Sequence, residues 1–366
     1  QAPLSHVVEL ADQPAFQQAK PAGLKLDGLD GKVDAQFKVS WPLADNIQAS
    51  EVKVEGKARI SDGRMKQVGG SYDIQGGSLA LEVTEKAADA KGDMLVNGVP
   101  MKVTWQHLLD QPADKQPPLR ITANLDNADR NQLGLDINDI VQGEVPVEVT
   151  VTRDGSSDPA VRLRADLTKA EMMLEPVAWR KPAGRAAFMQ ADIVKSKTHK
   201  IELQGFKVAG DDIAIEGTAA IAADNRMTDF NFPDFSLNVV SRLGVSGHLR
   251  QDNVWEVKAK GAAYDGRDFF RNVFLFGQQM KAIKPLRPAA GFEVDADIDT
   301  VIGFHEVNLR AVKFKLSKRG EKVTALDGRG TLDGGKPVAV ALRPAQGGEP
   351  RKLLADSTDA GQAFKL

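Results

Sequence analysis

Histidines are the first side chains to consider, because a neutral imidazole is a common metal ligand and titrates close to neutral pH. None of the five has a second histidine or a carboxylate at the spacing that metal sites use. We therefore expect solvated or packed histidines, and we predict no bound metal ion and no cofactor. The five are His6, His107, His199, His248 and His305.

Clustered carboxylates could bind calcium or supply a general acid and base. Such clusters occur at Asp136/Asp139, at Asp211-Asp212 and at Asp295/Asp297/Asp299. The last three alternate with the apolar residues of Val294 to Ile298, which predicts the solvated face of one strand. A glycan hydrolase would need two acids facing one cleft, and the pattern does not indicate such a pair.

Nucleophilic and phosphate-binding motifs are also missing from the sequence. No serine lies in a Gly-x-Ser-x-Gly elbow, and cysteine is absent. The glycine-rich stretch Gly330 to Gly335 lacks the Lys-Ser ending of a phosphate loop and precedes a strand pattern, so a hairpin turn explains it. We predict no catalytic residues and a protein that is not an enzyme.

The charge balance argues against nucleic acid as a partner. The 48 basic and 50 acidic side chains give a net charge of -2, and they are interspersed along the chain. No run of about 18 apolar residues predicts a transmembrane helix, and Gln1 to Leu10 do not form a signal peptide. Because the sequence begins in mid-pattern and ends abruptly at Leu366, we expect it to be a piece of a longer protein.

Alternation of apolar and polar residues is the dominant pattern of the chain. From Glu51 to Ile60, apolar side chains point one way and charged side chains point the other, which is the period of a half-buried β-strand. The same alternation returns many times, so the sequence predicts an all-β protein whose strands each have one apolar face. The candidate apolar-face residues are Val52, Val54, Ile60, Leu79, Leu81, Val83, Val147, Val149, Leu163, Leu167, Ile213, Ile215, Ile221, Val312, Phe314, Leu316, Val338 and Val340.

Turn signals separate these segments and predict about 25 strands in an antiparallel meander. The pattern strand, turn, strand, Gly-x-Pro turn, strand occurs in Leu81 to Trp105 and in Phe314 to Leu342, and a looser version in Phe188 to Ile221, which indicates repeated units. Proline-rich breaks near 112–118 and 285–288 suggest units at 1–118, 119–284 and 285–366. The turn signals are Asp62-Gly63, Gly69-Gly70, Gly76-Gly77, Asn97-Gly98, Asp154-Gly155, Gly210-Asp211 and Gly334-Gly335.

One segment, Asp268 to Lys281, has the pattern of an amphipathic helix. Asp268 is the predicted N-cap, and the apolar face includes Phe269, Phe270, Val273 and Phe274. Such a helix would lie across an apolar surface. We expect it to plug or cap the β-core between two units, and the alternative is contact with a bilayer or a gate over a groove.

Three segments together resemble the AsmA-like proteins of Gram-negative envelopes, in particular the YhdP-type members. They are Gly28 to Phe37 leading to Trp41-Pro42-Leu43, Ala165 to Ala170 followed by Trp179 to Gly184, and Ser357 to Gly361. The resemblance covers most of the chain, from about Gly28 to the end, and its specificity lies in the combination of the three segments.

This resemblance implies the periplasmic part of a longer protein, held in the inner membrane by an anchor outside this sequence. AsmA-like proteins look like repeating β-groove bridges (β-tacos), similar to eukaryotic bridge-like lipid transfer proteins. A curved sheet carries an apolar trough that shields phospholipid acyl chains between the inner and outer membranes. The candidate apolar-face residues would then line the trough, with phospholipid as the ligand and outer-membrane or envelope proteins as further partners.

Two alternatives remain open from the sequence. Apolar faces normally pack on each other, so the strands could form closed β-sandwiches or a filled solenoid with no ligand. The other alternative is a β-scaffold for envelope integrity or outer-membrane protein assembly, which receives unfolded proteins by β-augmentation, as TamB-like relatives have been proposed to do.

Overall fold

The computed structural model describes residues 2–4, 30–43, 53–68, 72–153, 159–174, 177–198, 201–274, 289–320, 322–343, 352–363 and 365. These residues belong to two compact units. The first comprises Gln1–Leu133 and Pro146–Arg164, and the second comprises Gly134–Val145 and Ala165–Leu366. This division is coarser than the three units predicted from the sequence, whose boundaries stay a prediction.

The prediction of an all-β protein is confirmed, because strands make up most of the described chain and nearly all pair antiparallel. In chain order the strands are β1 (Ala2–Pro3), β2 (Asp30–Ser40), β3 (Lys53–Val68), β4 (Tyr72–Val83), β5 (Ala87–Val96), β6 (Val99–Leu108), β7 (Leu119–Leu125), β8 (Val141–Gln142), β9 (Val145–Thr152), β10 (Ala160–Asp166), β11 (Glu171–Leu174), β12 (Trp179–Lys181), β13 (Ala187–Lys195), β14 (Ile201–Gly210), β15 (Ile213–Ile221), β16 (Met227–Leu237), β17 (Ser241–Leu249), β18 (Val254–Asp265), β19 (Gly291–Ile302), β20 (Asn308–Arg319), β21 (Lys322–Leu332), β22 (Pro337–Arg343) and β23 (Lys352–Ser357).

The first unit is a meander in which each strand from β1 to β7 pairs antiparallel with the next. Its β5–β6 hairpin turns at Asn97 and Gly98, whose φ angles of 47° and 84° are the left-handed values of a two-residue type I′ turn. The Asn-Gly signal in the sequence therefore identified a real hairpin.

The second unit carries a longer meander, in which consecutive strands from β13 to β23 pair with each other. A turn at Gly334-Gly335 joins β21 to β22, as the turn signal predicted. The turn predicted at Gly210-Asp211 lies one residue later, at Asp211-Asp212, because Gly210 still belongs to β14 and pairs with Ile213. A separate three-stranded sheet of β8, β11 and β12 belongs to the same unit.

One strand pair in this meander is parallel, which the sequence analysis did not predict. Strands β18 and β19 run in the same direction, with Val254 opposite Gly291 and Asp265 opposite Ile302. Parallel neighbours need a connection of a dozen or more residues. The segment between Asp265 and Gly291 provides that length and begins with a helix.

The predictions of turns at Asp62-Gly63 and at Gly76-Gly77 are wrong. Strand β3 continues through Asp62, which has a φ of 54°, and β4 continues through Gly76, which has a φ of 63°. The register shifts at both points, so each pair forms a β-bulge. Bulges and hairpin turns both need residues that tolerate positive φ, which is why the local sequence does not separate them.

A line of bulges crosses the second unit. The four successive strand pairs from β13–β14 to β16–β17 each contain a register shift. On β15 the shift lies between Ile215 and Ala219, and the shifts on the other strands lie beside it across the sheet. Gly205 and Gly217 lie on this line with φ angles of 56° and 155°. Because a bulge bends its strand, aligned bulges bend neighbouring strands together and curve the sheet into a groove-like surface.

The described residues contain three short α-helices, α1 (Asn127–Gln132), α2 (Arg267–Phe274) and α3 (Ala360–Ala363), and a 3₁₀ turn at Ala113–Lys115. Helix α1 was missed, although Asp126 and Asp129 form a capping box that marks its start. Helix α2 corresponds to the predicted amphipathic helix. It begins at Arg267, so Asp268 lies inside its first turn and the prediction of Asp268 as N-cap is wrong. Residues 275–281 of the predicted helix lie outside the described part of the chain.

Candidate functional site

A continuous row of apolar residues crosses all eleven strands of the meander in the second unit. We call it the long row, and each member is paired with the next across neighbouring strands. Paired residues project from the same face of a sheet. At about 4.8 Å per strand, ten spacings give the row a length of roughly 48 Å measured along the sheet. The long row is Ile193, Leu203, Ala219, Phe230, Gly247, Val257, Val294, Leu316, Leu326, Leu342 and Leu353.

A second row runs beside the long row on the same face, two residues along each strand. It starts at Phe232 and passes through Phe314 to the last strand. Together the two rows make the apolar face of this unit a strip of side chains free of formal charge. The second row is Phe232, Val245, Ala259, Ala296, Phe314, Gly328, Val340 and Ala355.

Burial along the long row changes from one end to the other. Leu203 and Ala219 are buried in a compact cluster with Ile201, Ile221 and other apolar side chains. Toward the C-terminal strands the row opens: Leu326 remains buried, whereas Leu353 on β23 is 53% exposed. An apolar row that begins in a packed cluster and ends in solvent is accessible at one end.

The opposite face of the same strands is charged. Across β18, β19 and β20, Lys258, Asp295 and Lys315 are paired in register, and Asp327 on β21 follows. The Lys315 ammonium lies 3.4 Å from the Asp295 carboxylate. The prediction that the aspartates near 295 belong to a solvated strand face is confirmed.

A shallow hollow with a volume of about 390 Å³ lies over β20 to β23. Lys313, Arg329, Asp356 and Thr358 are among its lining residues. Lys313, Arg329 and Asp356 lie on the face opposite to the apolar rows, whereas the lining residue Val338 has the alternation phase of the apolar face, so the hollow lies at the edge of the strip.

The first unit has an apolar face of the same design. One row is Val33, Ile60, Leu79, Gly92, Val103 and Ile121, and the next is Ala35, Ala58, Leu81, Ala90 and Trp105. On the opposite face, the Lys57 ammonium lies 3.1 Å from the Glu82 carboxylate.

This face is also buried at one end and open at the other. Val33 and Ala58 are buried against Leu4. Farther along β2 and just beyond its end, Val39 and Trp41 are 42% and 54% exposed. The first unit therefore presents an exposed apolar edge next to a buried apolar cluster.

Most of the candidate apolar-face residues come together within their own unit. In the first unit, Val54, Ile60, Leu79, Leu81 and Val83 share one face of β3 and β4. In the second unit, the candidates that share the apolar face of the meander are Ile213, Ile215, Ile221, Val312, Phe314, Leu316, Val338 and Val340.

The remaining candidates are not members of the apolar rows described above. Val147 and Val149 lie on β9, where Glu148 is as half-buried as they are, so that strand has no clean alternation. Leu163 is half-buried on β10, Leu167 is buried just after that strand ends, and Val52 lies outside the described residues.

Aromatic residues near the bulge line form a cluster that the sequence analysis missed. The rings of Phe206 and Phe230 each lie 5.1 Å from the ring of Phe232, measured between centroids, and Trp255 lies 5.4 Å from Phe230. The alternation of Phe230 and Phe232 was a signal for one shared face. Phe206 could not be included, because its register with them depends on the bulges.

Helix α2 lies against the apolar face of the second unit. The Phe269 ring meets the Phe314 ring edge to face, with 5.7 Å between centroids and an interplanar angle of 89°. Phe314 is a candidate apolar-face residue of the same unit, so at this point the helix covers the face of the second unit. The expectation that it caps the core between two units stays a prediction. Phe270 is half-buried, and the side chains of Val273 and Phe274 lie outside the described part.

Buried polar groups in the second unit support the fold at the small sheet. Tyr264 donates a hydrogen bond to the Val177 carbonyl at 3.0 Å, and burial raises the pKa of its hydroxyl. The Lys181 ammonium donates to the carbonyls of Ala170, Pro182 and Arg185, and burial lowers its pKa, with a smaller contribution from the Arg185 charge. These contacts join segments of the same unit, which is a structural role.

Two of the histidines within the described ranges, His107 and His248, have a packing or a surface partner. His107 stacks on Trp105 with 5.9 Å between ring centroids, and His248 Nδ1 lies 2.6 Å from an Asp229 carboxylate oxygen on the surface. Among the described residues, no group of three or more histidine or carboxylate side chains is placed to hold a metal ion. No helix in the same ranges is long and apolar enough to span a membrane.

The geometry of the apolar rows is the main feature to compare with known proteins. No family model, curated protein or solved structure matches this chain. The assignment to the AsmA-like family therefore stays a prediction from the three sequence segments.

Proposed function

We propose that the protein shields phospholipid acyl chains on its apolar face during transport between the inner and outer membranes of a Gram-negative envelope. The observation that carries the proposal is the long row, which crosses eleven strands without a charge and ends at the exposed Leu353. A row of this length exceeds what a small hydrophobic core needs and suits an extended apolar ligand.

The physical advantage is the transfer of methylene groups out of water. Each buried CH₂ group is favourable by about 0.8 kcal/mol, so an acyl chain moving along an apolar strip avoids a cost of roughly 10 kcal/mol or more. The phospholipid headgroup stays in solvent at the open side of the strip. The step needs no chemical reaction, and this part of the protein gives it no direction.

The cellular setting in this proposal comes from the resemblance to AsmA-like proteins. On that basis the chain is a periplasmic segment of an inner-membrane-anchored protein, with outer-membrane or envelope proteins as further partners. Two exposed apolar ends support a role in passing lipid onward, at Trp41 in the first unit and at Leu353 in the second.

Two adjacent residues of β23 provide the test. Leu353 and Leu354 are 53% and 58% exposed, but Leu353 pairs with Leu342 in the long row, whereas Leu354 pairs with Ala341 on the other face. Replacing either with glutamate adds the same charge at nearly the same place and exposure. Protein purified without detergent from a Gram-negative envelope would be extracted with organic solvent, and its phospholipid would be quantified by mass spectrometry.

We expect Leu353→Glu to lower bound phospholipid at least fivefold and Leu354→Glu to leave it within twofold of wild type. Equal occupancy in both variants, with both folded, would remove the apolar face as the lipid path. Wild-type protein free of lipid would contradict the proposal as a whole.

The second candidate is a β-scaffold for outer-membrane protein assembly or envelope integrity with no bound lipid. The compact cluster around Leu203 and Ala219 favours it, because there the apolar face is filled by the protein's own side chains. Lipid-free wild-type protein that captures an unfolded outer-membrane protein at a sheet edge would support this candidate.

A further inference from the structure

The Phe269–Phe314 contact lies within the second row of the apolar face. Phe314 is paired with Ala296 on one side and Gly328 on the other, so small residues flank it on both neighbouring strands. The Phe314 ring lies over Gly328, where an added Cβ atom would be 3.3 Å from the ring carbon Cδ2. The Phe269 ring of α2 packs edge to face on the Phe314 ring. A ring from outside the sheet thus occupies a place on the apolar strip.

Helix α2 is attached firmly at its start. The Gly266 N–H donates to the Ile302 carbonyl at 2.9 Å, and the Phe270 N–H donates to the Gly266 carbonyl at 2.8 Å. Gly266 is buried, and a Cβ atom there would lie 2.7 Å from Val301 Cγ1. The backbone on the N-terminal side of the helix is therefore held to β19.

The polar side-chain contacts of Arg271 on α2 are weaker. Arg271 forms an ion pair with Asp268 at 3.0 Å in which both side chains are about half-exposed, and its guanidinium lies 5.5 Å from the centre of the Phe304 ring. Exposed ion pairs and exposed cation–π contacts contribute little to stability. Because the described polar contacts of the helix are weak, the Phe269–Phe314 ring contact is its described apolar link to the strip.

We propose that Phe269 occupies an acyl-chain subsite on the Phe314 ring, next to the small residue Ala296, so that α2 and a phospholipid acyl chain compete for the same place. This inference rests on the proposed lipid-binding function and adds its regulation. The exchange replaces one apolar contact with another, because methylene groups cover the Phe314 ring when the Phe269 ring leaves it. Occupancy by lipid then depends on how firmly α2 is held to the sheet.

The test compares three states of the protein in one lipid-loading assay. Purified protein is incubated with vesicles of phosphatidylethanolamine and phosphatidylglycerol that carry a fluorescent phospholipid, and the lipid retained by the protein is measured. Phe269→Ala removes the competing ring. Phe188→Ala is the control, because Phe188 is a 47% exposed phenylalanine of the same unit that lies on the face of β13 opposite to Ala187 and Met189.

The third state locks α2 to the sheet. The natural sequence has no cysteine, so the double variant Phe269→Cys/Phe314→Cys can be joined by a short thiol-specific cross-linker without side reactions. The same double variant without cross-linker is its reference, and cleavage of a reducible cross-linker returns the locked protein to that reference. This arm keeps the test decisive even if Phe269→Ala does not fold.

We expect Phe269→Ala to increase retained lipid at least twofold, Phe188→Ala to leave it unchanged, and the cross-link to lower it at least threefold in a way that cleavage reverses. Unchanged lipid retention in Phe269→Ala and in the cross-linked protein would overturn the competition while leaving the proposed function in place. No lipid in any state, wild type included, would overturn both.

Discussion

The Phe230 ring lies directly on Gly247, its partner across β16 and β17. A Cβ atom at Gly247 would lie 2.4 Å from two carbon atoms of that ring. The long row therefore has a glycine at the point where an aromatic side chain from the neighbouring strand covers the backbone. The row stays continuous because the ring fills the gap that glycine leaves.

Replacing Gly247 with alanine should destabilise the second unit by about 1–3 kcal/mol, because the added methyl group must displace a packed ring. Gly77→Ala is the control, since its nearest atom would lie at an ordinary 3.7 Å. Urea unfolding of both variants measures the difference. Equal unfolding free energies for the two variants would show that the ring moves aside at no cost.

The start of helix α2 should weaken at acidic pH. The Asp265 carboxylate accepts two hydrogen bonds from the Arg267 guanidinium, at 2.8 and 2.6 Å, and this contact lowers the pKa of Asp265. A depressed carboxyl pKa contributes stability above the unfolded-state value of about 3.9, and that stability is lost as pH falls through the folded-state value.

The variant Asp265→Asn should therefore cost about 1 kcal/mol at neutral pH and show a weaker loss of stability below about pH 4. Asp268→Asn is the comparison, since that side chain is about half-exposed in its pair with Arg271. Urea unfolding from pH 3 to pH 7 would measure both. The prediction fails if the two variants share one pH profile.

The aspartates of β19 should be dispensable for function. Asp295 and Asp297 face Lys315 and Lys313 at 3.4 and 3.7 Å on the solvated side of the sheet. The double variant Asp295→Asn/Asp297→Asn should bind phospholipid within twofold of wild type and lose at most about 1 kcal/mol per ion pair. A folded variant that has lost activity would instead revive the hypothesis of a paired-carboxylate enzyme.

The exposed apolar edge of the first unit should also contact lipid. Val39 pairs with Val54 on the apolar face, and its neighbour Lys38 lies on the charged face opposite Glu55. Because a charge on the apolar face must be desolvated by an acyl chain, Val39→Glu should reduce lipid retention severalfold, and Lys38→Glu should not. The vesicle assay measures both variants, with circular dichroism to verify folding. Equal lipid retention by the two variants would show that the edge of the first unit does not bind lipid, and lipid binding would then be assigned to the second unit alone.

Local sequence was sufficient to predict the strands and their faces. Alternation from Lys53 to Ile60 and around Asp295 decides which side chains are apolar and which are solvated, because successive side chains of a strand point to opposite sides. The Asn97-Gly98 turn was also predictable, since only residues that tolerate positive φ suit a two-residue hairpin. These features depend on neighbours in the chain and need no partner strand.

The tertiary structure decided which strands pair and in which register. Asp62-Gly63 was predicted to be a turn and is a bulge, because that choice depends on the opposing strand β4 rather than on the local residues. The parallel pair β18–β19, the continuous row from Ile193 to Leu353 and the contact between Phe269 and Phe314 join residues that are distant in sequence. A period-two pattern shows which residues share one face of a strand, but it does not show which strand lies beside that strand. Only the folded chain therefore shows that these faces form continuous apolar rows.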